Sequence, residues 1–129
     1  MTFSQDRQLK AIVFSDVVDS SIEMFADELI AIQQIKDDLA LIREHLQGHG
    51  GSLVKSLGDG LLMTFDAPTQ ALDFIQAVIN RLADRRRSSL DHRFGLHTGE
   101  IYADGDDILG QGVNLASRLQ TVSPVNGVA

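Results

Sequence analysis

Gly50-Gly51-Ser52-Leu53-Val54-Lys55-Ser56-Leu57-Gly58-Asp59-Gly60-Leu61-Leu62-Met63-Thr64-Phe65 is the stretch whose reading decides the fold. Residues 52–57 and 61–65 are apolar-rich runs of strand length, and Gly58-Asp59-Gly60 separates them. An Asp-Gly turn between two such runs predicts a β-hairpin. The glycines at 48, 50 and 51 end whatever precedes it, because they break a helical pattern.

Upstream, Ile32, Ile35, Leu39, Ile42 and Leu46 recur at alternating spacings of three and four, which predicts one amphipathic helix with a single apolar stripe. Before it, residues 10–15 form a short apolar run suited to a buried strand, and Asp16 stands at that strand's end. Asp19, Ser20 and Ser21 supply helix-capping side chains. Downstream, Asp66-Ala67-Pro68 reads as a helix start with proline in the first turn. The helix carries Leu72, Ile75, Val78, Ile79 and Leu82 on one face and ends near Arg85-Arg86-Arg87, basic residues that complement the helix dipole. A strand over 92–97 is expected to break at Thr98-Gly99. A polar loop over 103–107 leads to a last helix near 113–121. The order predicts an α+β fold: a ferredoxin-like β-α-β-β-α-β core plus an extra helix, with helices on one face of a mainly antiparallel sheet. His97, at the end of an apolar strand, reads as a packed and hydrogen-bonded side chain rather than a metal ligand.

Composition narrows the function. The 129 residues are expected to form one domain, 1–129, and 43% of them are hydrophobic, enough for a real core. A formal net charge of −7 argues against a surface for nucleic acid or an anionic membrane, since both demand a basic face. Aromatic residues make up only 5% and there is no Trp, against a base-stacking platform. With no cysteine there is no disulfide, thiolate zinc site or Cys nucleophile. The polar N-terminus lacks the apolar core of a signal peptide, and no apolar run approaches the roughly 20 residues that span a bilayer. The expectation is a cytoplasmic protein, with no sensor domain fused upstream of the first strand.

Some side chains carry chemistry. If the first strand pairs beside the second strand of the hairpin, Asp16 and Asp59 meet, and hard divalent cations prefer such oxygen ligands. Singly, Asp16 also reads as a helix cap and Asp59 as a turn former. Asn114 and Arg118 are four apart and share a helix face. Strand alternation leaves the direction of Lys55 open, because the turn interrupts it.

The ordered set of motifs resembles the class III nucleotidyl cyclases, the adenylate and guanylate cyclase catalytic domains. It is carried by Phe14-Ser15-Asp16-Val17-Val18-Asp19-Ser20-Ser21, by Gly50 to Lys55 with the Gly-Asp-Gly turn, by Arg93-Phe94-Gly95-Leu96-His97-Thr98-Gly99-Glu100, and by Gly110-Gln111-Gly112-Val113-Asn114-Leu115-Ala116-Ser117-Arg118-Leu119. The resemblance implies that Asp16 and Asp59, with the backbone carbonyl of Val17, hold two Mg²⁺ or Mn²⁺ ions. It implies that Lys55 and Asp107 read the base, Asn114 orients the ribose and Arg118 neutralises charge in the transition state. A donor from Lys55 and an acceptor from Asp107 match adenine's N1 and amino edge; guanine presents the reverse. ATP is thus the expected substrate, cyclic AMP and pyrophosphate the products, and a head-to-tail homodimer the assembly. The alternatives are a guanylate or pyrimidine nucleotide cyclase, and a silent nucleotide-binding regulatory homologue.

The chain departs from the family pattern at two places. Asp19 and Ser21 stand where many relatives carry Gly and Thr. Only eleven residues follow Arg118, where the family continues with further strands, so the fold is expected to be truncated at its C-terminus.

Overall fold

The computed structural model describes residues 7–22, 27–85 and 90–129, except for the side chains of Ser20 and Ser21. Ten elements follow in order: β1 (Arg7–Val17), α1 (Asp19–Ile22), α2 (Glu28–Gly48), β2 (Gly51–Leu57), β3 (Gly60–Phe65), α3 (Pro68–Asp84), β4 (His92–Asp104), β5 (Asp107–Leu109), α4 (Gln111–Val122) and β6 (Gly127–Val128). The sheet runs β2-β3-β1-β4-β5, and β6 lies parallel to β4. All other pairings are antiparallel. The order β2-β3-β1-β4 is that of the predicted β-α-β-β-α-β core.

β1 is central because it is apolar on both faces. Ala11, Ile12 and Val13 are fully buried. Successive side chains point to opposite faces of a strand, so they feed two cores. One contains Ala11, Val13, Leu61, Met63, Phe65 and Phe94 under α2 and α3. The other contains Ile12, Leu62 and Ile101 under Ala116 of α4. The expectation of helices on one face therefore holds for α2 and α3, whereas α4 covers the opposite face. Gly95 permits that close approach, since a Cβ there would lie 2.2 Å from the Ala116 carbonyl oxygen.

Long-range pairing overrides several local signals. β4 does not break at Thr98-Gly99: these residues pair with Ala11 and Lys10 of β1, and the strand continues to Asp104. The expected polar loop at 103–107 is instead a tight turn into β5, with Gly105 at φ 60°. The segment after α4 returns to the sheet: the Ala129 amide donates to the Phe94 carbonyl and the Leu96 amide to the Ala129 carbonyl. Asp19 opens the single turn α1 rather than capping the long helix. The cap of α2 is Asp27, whose carboxylate accepts from the Leu29 amide at 2.8 Å.

The buried face of α2 is also rotated from the expected stripe. Ala31, Gln34, Asp38, Leu41, Ile42 and Leu46 are buried, while Ile32 is 43% exposed. On α3, Ala71, Phe74, Ile75, Val78 and Leu82 face the core, and Leu72 turns outward. α3 starts at Pro68 as expected and ends with Arg85 as its cap; Arg86 and Arg87 lie outside the described residues.

Candidate functional site

The β1–β3 ladder sets Ser15 opposite Leu61, so the end of β1 meets the turn that opens β3. Asp16 and Asp59 come close enough there for Asp59 to act on the Asp16 carboxyl. Gly60 makes the approach possible, because a Cβ at that position would sit 2.2 Å from the Ser15 carbonyl oxygen. The Asp16 carboxyl also accepts from the Val17 amide at 2.9 Å. Its pKa is raised from 3.8 to about 7, first by burial, then by the hydrogen bond and negative charge of Asp59. Asp19 adds to the rise, and the Val17 amide opposes it. Burial and mutual repulsion both disfavour the ionised carboxyls, and a divalent cation would relieve both.

Among the described residues no group of three or more His, Cys, Asp or Glu is arranged to hold a metal. A two-carboxylate centre leaves coordination positions for water and for ligand phosphates, which is how Mg²⁺ is commonly bound.

The register adds a residue to which the sequence reading gave no role. Arg93 stands directly across from Asp16 in the β1–β4 ladder. Its Nε is buried without a hydrogen-bond partner. Residues opposite each other on adjacent strands share a sheet face, and a guanidinium on the Asp16 face can take an anion such as a phosphate. The sequence signal for it was a basic residue opening a buried strand; only the strand pairing revealed what it faces.

Lys55 is aimed by a bulge. The β2–β3 register slips between Leu53 and Lys55, which leaves Val54 unpaired and sets Lys55 opposite Leu62, on the α4 face. Although β2 and β5 are at opposite ends of the strand order, the curl of the sheet brings them together. Lys55 Nζ donates to Asp107 Oδ2 at 2.9 Å. The Ile108 amide donates to Asp107 Oδ1 at 2.7 Å. The Lys55 hydrogen bond first, and then the Ile108 amide, hold the Asp107 carboxyl below its usual range. A donor and an acceptor are thus offered side by side at a partly exposed edge.

Asn114 and Arg118 lie one turn apart on the exposed face of α4 and, with Gln111 and Leu115, line an open cavity of about 350 Å³. Asp59 lines a different groove, with Gly58, Ile32, Ile35, Lys36 and Leu39. The candidate residues therefore form three pairs, and the α4 pair opens into a different cleft from the one Asp59 lines. His97 sits mid-strand and half-buried, lining a third cavity with Gly99, Tyr102 and Gly112.

The chain as a whole matches a known family. Residues 4–129 match the adenylate and guanylate cyclase catalytic domain, and the chain belongs to that family. It is 30% identical over 129 residues to "Putative adenylate cyclase 3" of Rhizobium meliloti (strain 1021), covering 95% of this chain and 22% of that protein. The chain thus spans about a fifth of that relative's length. A solved adenylate/guanylate cyclase/hydrolase from Silicibacter pomeroyi superposes with a TM-score of 0.82 at 29% identity, over 95% of this chain and 74% of the other. The adenylyl cyclase CyaB from P. aeruginosa has the same fold, with a TM-score of 0.79 at 21% identity over 95% of this chain and 76% of that one. No helix among the described residues is long and apolar enough to cross a membrane.

Proposed function

We propose that the chain is an adenylate cyclase that converts ATP to cyclic AMP and pyrophosphate, in the cytoplasm, as a head-to-tail homodimer. The observation that carries this reading is the Asp16–Asp59 pair, two carboxyls held close together at the end of β1 with Arg93 opposite. Asp16, Asp59 and the Val17 carbonyl are the groups that would hold two Mg²⁺ or Mn²⁺ ions. Bound there, such ions supply acidity at the ribose 3′-hydroxyl and charge neutralisation on the triphosphate.

The chain's own residues do the rest by positioning and electrostatics. Arg93 neutralises phosphate oxygens beside the acidic pair. Lys55 donates to adenine N1 while Asp107 accepts from the amino group. The ion pair between them need not break, because Nζ carries three donors. Asn114 orients the ribose. Arg118 stabilises the charge that develops on the α-phosphate as the 3′-oxygen attacks, an interaction strongest in the transition state.

The separate clefts favour a shared site. Asn114 and Arg118 of one protomer complete the acidic pair of the other, and a two-fold axis repeats the arrangement, giving two equivalent sites. The pairing of Lys55 with Asp107 in one chain supports adenine over guanine, whose edge offers the reverse pattern.

The test is 3′-deoxy-ATP, which keeps the base and triphosphate and lacks the nucleophile. It is expected to inhibit competitively with ATP while releasing no pyrophosphate. Turnover of both nucleotides at similar rates would identify a hydrolase and refute the cyclase reading.

A further inference from the structure

A second acidic residue is buried beneath the candidate site. Asp38 of α2 and His92 of β4 are both 0% exposed, and His92 Nε2 lies 2.8 Å from Asp38 Oδ2. The acceptor is a carboxylate, so Nε2 carries the proton of this bond. The same Oδ2 accepts from the Leu90 amide at 2.8 Å, and Oδ1 accepts from Gln34 Nε2 at 2.9 Å. His92 Nδ1 is buried without a partner. Burying such a pair is a poor way to gain stability, since well-packed apolar residues usually do as well or better. What the network does instead is fix a segment.

That segment, Leu90-Asp91-His92, is the backbone against which the end of β1 rests. The Val18 amide donates to the Asp91 carbonyl at 2.8 Å. Val17 pairs with His92, and Asp16 with Arg93. The Val17 amide in turn holds the Asp16 carboxyl. On the far side, Asn126 clamps the same segment: its Oδ1 accepts from the His92 amide at 3.0 Å and its Nδ2 donates to Asp91 Oδ1 at 2.9 Å. Hydrogen bonds at both ends of the Leu90–His92 backbone thus link Asp38 to the residues flanking Asp16.

We propose that Asp38 is a positioning residue for the Asp16–Asp59 centre: it anchors Leu90 and His92 from below, and so fixes Val17 and Val18 beside the Asp16 carboxyl. The inference rests on reading the Asp16–Asp59 pair as a cation site. Asp38 does not touch the cation or the nucleotide; it acts through the Leu90 amide and the His92 ring.

The test uses Mn²⁺ alone, titrated into the purified protein and followed by calorimetry, together with amide hydrogen exchange at Val18. Three variants separate positioning from bulk stability. Asp38→Leu combined with His92→Phe replaces the buried pair by apolar groups of similar size but leaves the Leu90 amide and Gln34 Nε2 without an acceptor, so some stability is lost. It is expected to fold with a lowered melting temperature, bind Mn²⁺ about tenfold more weakly and exchange the Val18 amide faster, whereas Gln34→Leu reports what a stability loss alone does. Asp38→Asn keeps an acceptor for Leu90 and is expected to bind within about threefold of the parent. Gln34→Leu frees only Oδ1 and is expected to leave Mn²⁺ affinity unchanged, even where it lowers the melting temperature.

Parent-like Mn²⁺ affinity in the double variant would overturn the proposal, as would an equal loss in all three variants. Should the double variant not fold, an unchanged rate of Val18 exchange in Asp38→Ser would overturn it equally. Asp59→Ala is the control for the underlying reading. If it binds Mn²⁺ as tightly as the parent, the cation site lies elsewhere and both ideas fall together.

Discussion

Replacing Asp59 by Asn removes a proposed cation ligand, and in the metal-free protein it is expected to raise stability rather than lower it. Asp16 has a folded-state pKa of about 7 against an ordinary 3.8. Between those values the native state binds a proton that the unfolded chain has released. Stability from this group is therefore complete below about pH 4 and is lost as pH rises through about 7. An isolated shift of that size is worth about 4 kcal/mol. Solvent reaches this half-buried pair, and screening reduces the figure to about 1–2 kcal/mol.

Burial, the largest cause, survives the substitution; the hydrogen bond and charge of Asp59 do not. The recoverable part is thus under half, about 0.5 kcal/mol, or about 2 °C in melting temperature for a chain of this size. Thermal unfolding by circular dichroism, with a chelator present, should show Asp59→Asn melting about 2 °C higher than the parent at pH 8 and level with it at pH 5. Mn²⁺ at ten times its dissociation constant should then raise the parent by about 1.4 kcal/mol at pH 8 and leave the variant unmoved. A variant that melts lower than the parent at both pH values, or that gains as much from Mn²⁺, would refute the coupled-carboxyl argument.

Two further outcomes follow from the packing and from the separate clefts. Gly95→Ala places a Cβ 2.2 Å from the Ala116 carbonyl, so α4 must shift; the expected cost is about 1–3 kcal/mol in denaturant unfolding, with kcat falling more than KM rises because Asn114 and Arg118 move with the helix. Arg118→Ala is expected to lower kcat about 10²–10³-fold, and mixing it with Asp16→Ala should restore part of the activity, since one composite site in the mixed dimer is intact; complementary variants that demonstrably mix and stay inactive would rule out the shared site.

The hairpin, the three main helices and the β-α-β-β-α-β order were legible in the sequence because each rests on a local signal: an Asp-Gly turn, an apolar period, a Pro at a helix start. What the sequence hid depends on pairing between distant residues. Thr98-Gly99 looks like a break, yet β1 supplies partners for both and carries β4 past them. Residues 107–109 are too few to read as a strand, and they become β5 only because Tyr102, Ala103 and Asp104 pair with them. The approach of Asp16 to Asp59 could be anticipated from strand adjacency. The direction of Lys55 could not, because it turns on an unpaired Val54. Arg93 and Asp38 were silent for related reasons. One acquires its meaning from the residue across the ladder, and the other reads as part of a polar helix face until Leu90 and His92 close over it.

The central claim is that this acidic centre cyclises ATP. The most direct test is product formation by the purified chain with ATP, GTP, CTP and UTP in parallel, Mn²⁺ present, beside an Asp59→Ala control. The account predicts cyclic AMP from ATP, little product from the other three, and none from the control. Cyclic GMP as the main product would contradict the Lys55–Asp107 base assignment, and no cyclic nucleotide from a folded dimer would contradict the cyclase itself.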